Sequence, residues 1–118
     1  MAWMLDSAER GQIWLVSLDP AIGAEIKKTR PAIIISNDLN NQYAGTVTVL
    51  PVSDPGQKVY PFEVLISPQD SGLSKPSKIK CQQIRTIDKR RLIKLLGGIH
   101  THGVAQVEQA LKYHLGLD

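Results

Sequence analysis

Cysteine is almost absent from this sequence, since Cys81 is the only one among 118 residues. A lone cysteine excludes an internal disulfide and is typical of a protein that works in the reducing cytoplasm. We expect Cys81 to be a small buried residue in a strand rather than a reactive thiol. The first nine residues contain two acids and lack a long apolar run. They are therefore interpreted as a mobile tail (residues 1–9) and not as a signal peptide.

Long apolar runs and familiar active-site motifs are also missing. No stretch reaches the roughly 18 consecutive apolar residues that a membrane-spanning helix needs. The sequence has no G-x-x-x-x-G-K or G-x-G-x-x-G phosphate loop and no G-x-S-x-G nucleophile motif. His100 and His102 have no third ligand nearby, so they are interpreted as a polar helix start rather than a metal site. No metal and no cofactor is expected.

Positive charge is concentrated although the net charge is only +3. Eight of the fourteen Lys and Arg residues fall between Lys75 and Lys94, against one acid, Asp88. Residues 27–30 add three more cations. Such clusters are typical of proteins that bind a polyanion such as nucleic acid, but they also occur as solvated faces. Charge alone leaves both interpretations open.

Runs of β-forming residues between turn signals predict five strands. They are residues 12–18, 31–36, 46–53, 61–67 and 77–86. The expected connections are a long loop at 19–30, a turn or single helical turn at 38–42, and a loop at 68–76. Pro51 inside the third strand marks a sheet edge or a bulge.

The end of the sequence changes from strand to helix periodicity. Residues 89–96 predict a short helix that Gly97 and Gly98 would stop. From Thr101 onward, apolar residues at spacings of three and four predict an amphipathic helix that ends before Gly116. Together the elements indicate one mainly β domain over residues 10–118. We expect a small antiparallel barrel or curled sheet with a C-terminal helix.

Arg30 and Glu25 are the candidate functional pair. Arg30 immediately precedes Pro31, which biases its backbone towards the extended region. A guanidinium group suits bidentate contacts to phosphate and is always charged. Glu25 would place a carboxylate in the same loop. The pair fits a phosphate-binding catalytic site and equally a surface ion pair worth under about 1 kcal/mol.

Several separated segments resemble the MazF/PemK family, the toxins of bacterial toxin–antitoxin pairs. The segments are RGQIWLVSLDP at 10–20, G-A-E at 23–25, TRPAIIISND at 29–38 and QIRTIDKRRL at 83–92. The resemblance extends in order over residues 10–117 and implies an SH3-like barrel, a C-terminal helix and a homodimer. It also implies a sequence-specific, metal-independent endoribonuclease that cuts single-stranded RNA through the ribose 2′-hydroxyl. The implied inhibitor is a cognate antitoxin with an acidic, disordered C-terminal segment, and DNA would be reached only through that antitoxin.

The resemblance implies three catalytic residues: Glu25, Arg30 and Ser53. Ala24 stands where some PemK-type members have a histidine, and Gln82 where they have an aspartate. Both differences favour the MazF-type set of glutamate, arginine and hydroxyl, and leave the general acid open. The residues expected to bind RNA are Lys27, Lys28, Thr29, Gln57, Lys58, Gln69, Lys75, Lys80 and Gln82.

Two other functions remain compatible with the sequence. One is a non-catalytic SH3-like module that binds RNA or an extended peptide. The other is an antitoxin-bound regulator that contacts DNA as part of a complex.

Overall fold

The computed structural model describes residues 8–20, 22–25 and 28–118, so most of the expected N-terminal tail lies outside it. The described strands are β1 Gln12–Ser17, β2 Thr29–Ile34, β3 Thr46–Ser53, β4 Glu63–Ile66, β5 Ser77–Lys80, β6 Arg85–Asp88 and β7 Leu92–Gly98. The α-helices are α1 Asp38–Tyr43, α2 Pro68–Ser71 and α3 Thr101–Leu115. Short 3-10 turns span Cys81–Gln83 and Lys89–Arg91. No helix in the described ranges is long and apolar enough to cross a membrane.

The strands form one curled antiparallel sheet. Its order is β4-β5-β3-β2-β1-β7, with β6 pairing to β3 beside β5. Helix α3 packs on this sheet at β4 and at the Cys81–Gln83 turn. The expectation of a mainly β, curled antiparallel sheet with a C-terminal helix is confirmed.

The three central strands bury both of their faces. Alternate side chains of β2 enter different clusters: Ile33 lies in a first core and Ile34 in a second. The first core also contains Val107 of α3, and the second contains Trp14 of β1. Because successive strand residues point to opposite faces, a strand buried on both faces must be apolar at both parities. This explains the continuous apolar run of residues 32–35.

The predicted fifth strand (77–86) is wrong as a single element, because β3 changes partner along one edge. Its last residues pair with β5 (Val52 with Ile79), whereas its first half pairs with β6 (Val49 with Arg85). From the first of these pairs to the second, β3 spans three residues, whereas the opposite segment, from Ile79 to Arg85, spans six. The surplus residues form the 3-10 turn. Pro51, which has no N–H to donate, lies in this gap.

The predicted helix at 89–96 is also wrong. The chain makes a 3-10 turn and then the edge strand β7, which pairs with β1. Gly97 allows close contact here, because a Cβ on it would lie 2.1 Å from the carbonyl oxygen of Ser71. Pairing with a strand distant in sequence therefore overrides the local helical pattern.

The remaining differences concern element ends. Strand β2 begins at Thr29, two residues before the predicted start at Pro31. The expected loop at 68–76 opens with helix α2, which Ser67 caps by accepting a hydrogen bond from the Asp70 N–H. The helical turn at 38–42 and the C-terminal helix ending before Gly116 are confirmed.

Candidate active site

Arg30 and Ser53 line the same hollow, which we call the arginine hollow. It has a volume of about 220 Å³, and its lining includes Lys28, Thr29, Arg30, Ser53, Asp54 and Lys75. Continuing the pairing of Ala32 with Pro51 by two residues places Arg30 opposite Ser53. Directly opposed residues of an antiparallel pair share a face of the sheet. The guanidinium and the hydroxyl are thus anchored on two adjacent strands, where the second core ends.

Glu25 lines the neighbouring hollow, which we call the glutamate hollow. This hollow has a volume of about 330 Å³, and its lining includes Ile22, Glu25, Pro51, Gln82, Gln83 and Arg85. Pro51 and Ser53 are two residues apart on β3, so the two hollows follow one face of that strand. The Glu25 carboxylate accepts a hydrogen bond from the Ile22 N–H at 2.6 Å, which holds it in a tight turn.

Two arginines of the basic segment hold the base of the Glu25 loop. Arg85 donates to the Leu18 carbonyl at 3.1 Å, and Arg91 donates to the carbonyls of Ser17 and Asp19. The Asp19 carboxylate in turn accepts from the Lys28 N–H at 2.8 Å. These cations therefore act on the shape of the loop through backbone contacts. Their positions in the sequence had indicated only a charged cluster.

Lys75 reaches the arginine hollow but is paired there. Its Nζ lies 2.8 Å from the Asp54 carboxylate. The hydrogen bond and charge of Lys75 lower the pKa of Asp54, and the charge of Arg30 lowers it further. Asp54 is thus an anion at neutral pH, and any other anion that entered the arginine hollow would compete with it for Lys75. The sequence did not single out Asp54.

The sequence also did not reveal a buried network that includes Gln82, a residue lining the glutamate hollow. Glu63 accepts hydrogen bonds from Lys78 Nζ at 3.1 Å, the Tyr60 N–H at 3.1 Å and Gln82 Nε2 at 2.7 Å. Burial raises the pKa of the Glu63 carboxyl, but these hydrogen bonds outweigh that effect and lower it overall. Burial, and then the charge of Glu63, raise the pKa of the Cys81 thiol to about 12.

The other residues expected to bind RNA are spread more widely. Lys28, Thr29 and Lys75 line the arginine hollow, and Gln82 lines the glutamate hollow. Four further residues line neither hollow: Gln57, Lys58, Gln69 and Lys80. Lys58 lies over the Tyr60 ring, 4.7 Å from its centroid. Lys27 lies outside the described residues.

The described residues bring together no group of three His, Cys, Asp or Glu side chains that could hold a metal ion. His100 precedes the first turn of α3 and makes no side-chain capping bond there.

Comparison with known proteins identifies the family. The model of the PemK-like, MazF-like toxins of type II toxin–antitoxin systems matches residues 9–115. The chain belongs to this family. It is 44% identical over 113 residues to Endoribonuclease MazF9 of Mycobacterium tuberculosis (strain ATCC 25618 / H37Rv), an alignment that covers 92% of this chain and 96% of the relative.

Solved MazF structures share the fold. MazF from Deinococcus radiodurans superposes with a TM-score of 0.79 at 28% identity, covering 92% of this chain and 96% of that chain. MazF in a MazE–MazF complex (Form-III) from the same organism gives a TM-score of 0.75 at 26% identity, covering 93% of this chain and 97% of that chain.

Proposed function

We propose that this MazF-family endoribonuclease toxin cuts single-stranded RNA at specific sequences, without a metal ion, by activating the ribose 2′-hydroxyl. A bond forms between the 2′ oxygen and the adjacent phosphorus, and the bond from phosphorus to the 5′ oxygen breaks. The products are a 2′,3′-cyclic phosphate (or the 3′-phosphate after hydrolysis) and a 5′-hydroxyl. The supporting observation is that Arg30 and Ser53 line one hollow beside the hollow lined by Glu25.

Each of the three residues has a role that its chemistry suits. The Arg30 guanidinium stabilises the charge that develops on the phosphorane oxygens, which is the usual large contribution in phosphoryl chemistry. Glu25 accepts the 2′ proton. Ser53 positions the phosphate rather than attacking it, because its hydroxyl donates to the Asp54 backbone carbonyl at 3.2 Å, and a carbonyl oxygen is not a base that would activate it. Water protonates the departing 5′ oxygen.

RNA backbone would enter over the arginine hollow. Lys28 is exposed at its rim, and Lys75 would exchange Asp54 for a phosphate. Aromatic residues are only 5% of the chain, so bases would be read mainly by hydrogen bonds from loop residues rather than by stacking.

The proposal includes two protein partners. A cognate antitoxin would occupy the same cationic surface through an acidic, disordered C-terminal segment. This is supported by the family and by the similarity to MazF in a MazE–MazF complex. A second copy of the chain would form a homodimer. Ile93 and Leu95 of edge strand β7 are each 51% exposed, and this apolar strand edge would supply the contact surface for the second copy.

The test is digestion of a diverse single-stranded RNA pool in EDTA, with sequencing of the 5′-hydroxyl ends. We expect the wild type to cut at a short common motif. Arg30→Ala should lower kcat by about 10²–10³-fold, as expected for loss of a donor to a developing oxyanion.

Arg90→Ala is the matched control, because Arg90 pairs with Asp88 on an exposed surface and lines neither hollow. It should cut as the wild type does. A wild type that leaves the whole pool intact would overturn the enzyme proposal and favour the non-catalytic binding module.

A further inference from the structure

Glu63 is a buried carboxylate to which the proposed reaction gives no role. It is only 7% exposed and lies at the start of β4. One oxygen, Oε1, accepts from Lys78 Nζ and from the Tyr60 N–H, and the other, Oε2, accepts from Gln82 Nε2. A buried charge with three donors is held in one geometry.

Lys78 connects Glu63 to the strand pair that carries Ser53, a residue lining the arginine hollow. Lys78 is 8% exposed and pairs in register with Ser53 across β3 and β5. Its Nζ also donates to the Lys58 carbonyl at 3.0 Å. Together with the Tyr60 contact, this fixes the loop between β3 and β4 against β5.

Gln82 connects Glu63 to the glutamate hollow, which Gln82 lines. An ionised carboxylate can only accept hydrogen bonds, so Glu63 forces the Gln82 amide to present Nε2 to it. The carbonyl oxygen Oε1 must then point the other way. That oxygen is buried and accepts no hydrogen bond from the described residues. The Gln82 amide is therefore held in one orientation at the lining of the glutamate hollow.

We infer that Glu63 is a positioning residue of the ribonuclease site. The Glu63 carboxylate orients the Gln82 side chain, which lines the glutamate hollow, for contact with RNA there. The same carboxylate holds Lys78 beside Ser53. This inference rests on the proposed function.

The negative charge of Glu63, rather than its size, carries this role. Glutamine at position 63 has nearly the same shape but can present either an oxygen or an NH₂ group to Gln82. The Gln82 amide would then lose its single orientation, and Lys78 would lose its ionic partner.

The experiment is a double-mutant cycle on RNA cleavage with Glu63→Gln, Gln82→Leu and the combined variant. Glu63→Gln and Gln82→Leu should each lower kcat/KM by about tenfold or more, as for loss of an oriented hydrogen bond. If Glu63 acts through Gln82, the kcat/KM of the combined variant should lie within about threefold of the kcat/KM of the less active single variant.

Glu108→Gln is the matched control, since Glu108 also accepts from a cation, Arg10, but lies on α3 outside both hollows. It should retain wild-type kcat/KM. Thermal unfolding is measured for every variant, and cleavage is assayed at a temperature at which all of them are folded. If Glu63→Gln does not fold, Glu63→Gln with Lys78→Met removes the buried cation together with its partner and carries the same test.

Two results would overturn this inference and leave the proposed function standing. One is wild-type cleavage by Glu63→Gln, and the other is a combined variant in which the two reductions in kcat/KM multiply. A wild type that cuts no RNA would overturn the proposed function and this inference with it.

Discussion

Cys81 shows at the residue scale how neighbours decide the chemistry of a side chain. It is fully buried at the start of the 3-10 turn between β5 and β6. With a pKa raised to about 12 by burial and by Glu63, the thiol stays protonated at neutral pH, and the thiolate is the reactive form.

We therefore predict that a thiol-reactive disulfide reagent modifies Cys81 only when the protein unfolds. The measurement is the rate of reagent release at neutral pH in native buffer and in denaturant. Stoichiometric release within the mixing time in native buffer would contradict the prediction. The expectation of a buried, inert cysteine would then fail as well.

Some of the candidate site residues could be selected from their sequence context and others could not. Arg30 could be selected because Pro31 follows it and Glu25 because it places a carboxylate in the same loop, and the family resemblance added Ser53. Glu63 could not, because an acid in the alternating pattern PFEVLIS indicates a solvent-facing position. It is buried because Lys78 and Gln82, distant in sequence, supply its hydrogen bonds.

At the scale of elements, the contact between α2 and β7 depends on the absence of a side chain. A Cβ on Gly97 would lie 2.1 Å from the Ser71 carbonyl oxygen, and backbone cannot move aside as a side chain can. We predict that Gly97→Ala lowers the free energy of unfolding by about 1–3 kcal/mol, the usual cost of overpacking.

Gly45→Ala is the matched control, because a Cβ there meets nothing within 4 Å. It should be neutral or stabilising by up to about 1 kcal/mol. Both free energies of unfolding are measured by denaturant unfolding, with the dependence on denaturant concentration fitted for each variant. Equal stabilities for the two variants would show that α2 and β7 are not in tight contact.

Strand β7 also shows where element prediction fails. The segment 89–96 has apolar residues at spacings that fit a helix, and glycines follow it. The chain instead forms the edge strand β7 from Leu92 onward, because β1 offers unpaired backbone groups beside it. In contrast, α3 was predicted correctly because its apolar stripe matches one buried face, which includes Val107.

For the whole molecule, the distribution of charge matters more than its total. Lys28 is exposed at the rim of the arginine hollow, whereas Lys112 is exposed on α3 and lines neither hollow. Each phosphate contact to a single strand should add about 0.7 to the slope of log affinity against log salt concentration.

We predict that Lys28→Gln reduces that slope by about 0.7 and that Lys112→Gln leaves it unchanged. Binding is measured by fluorescence anisotropy with a 2′-O-methyl RNA, which cannot be cut through the 2′ oxygen. Identical slopes for the two variants would contradict an RNA path over the arginine hollow.

The sequence by itself determined the class of fold, the C-terminal helix and the family, because period, turn residues and the segments around Arg30 are local signals. The tertiary structure alone decided the break between β5 and β6, the strand at 92–98 and the buried ties of Glu63. Each of these depends on partners far apart along the chain. A residue's own neighbours in sequence carry no information about which strand or carboxylate will reach it from a distance.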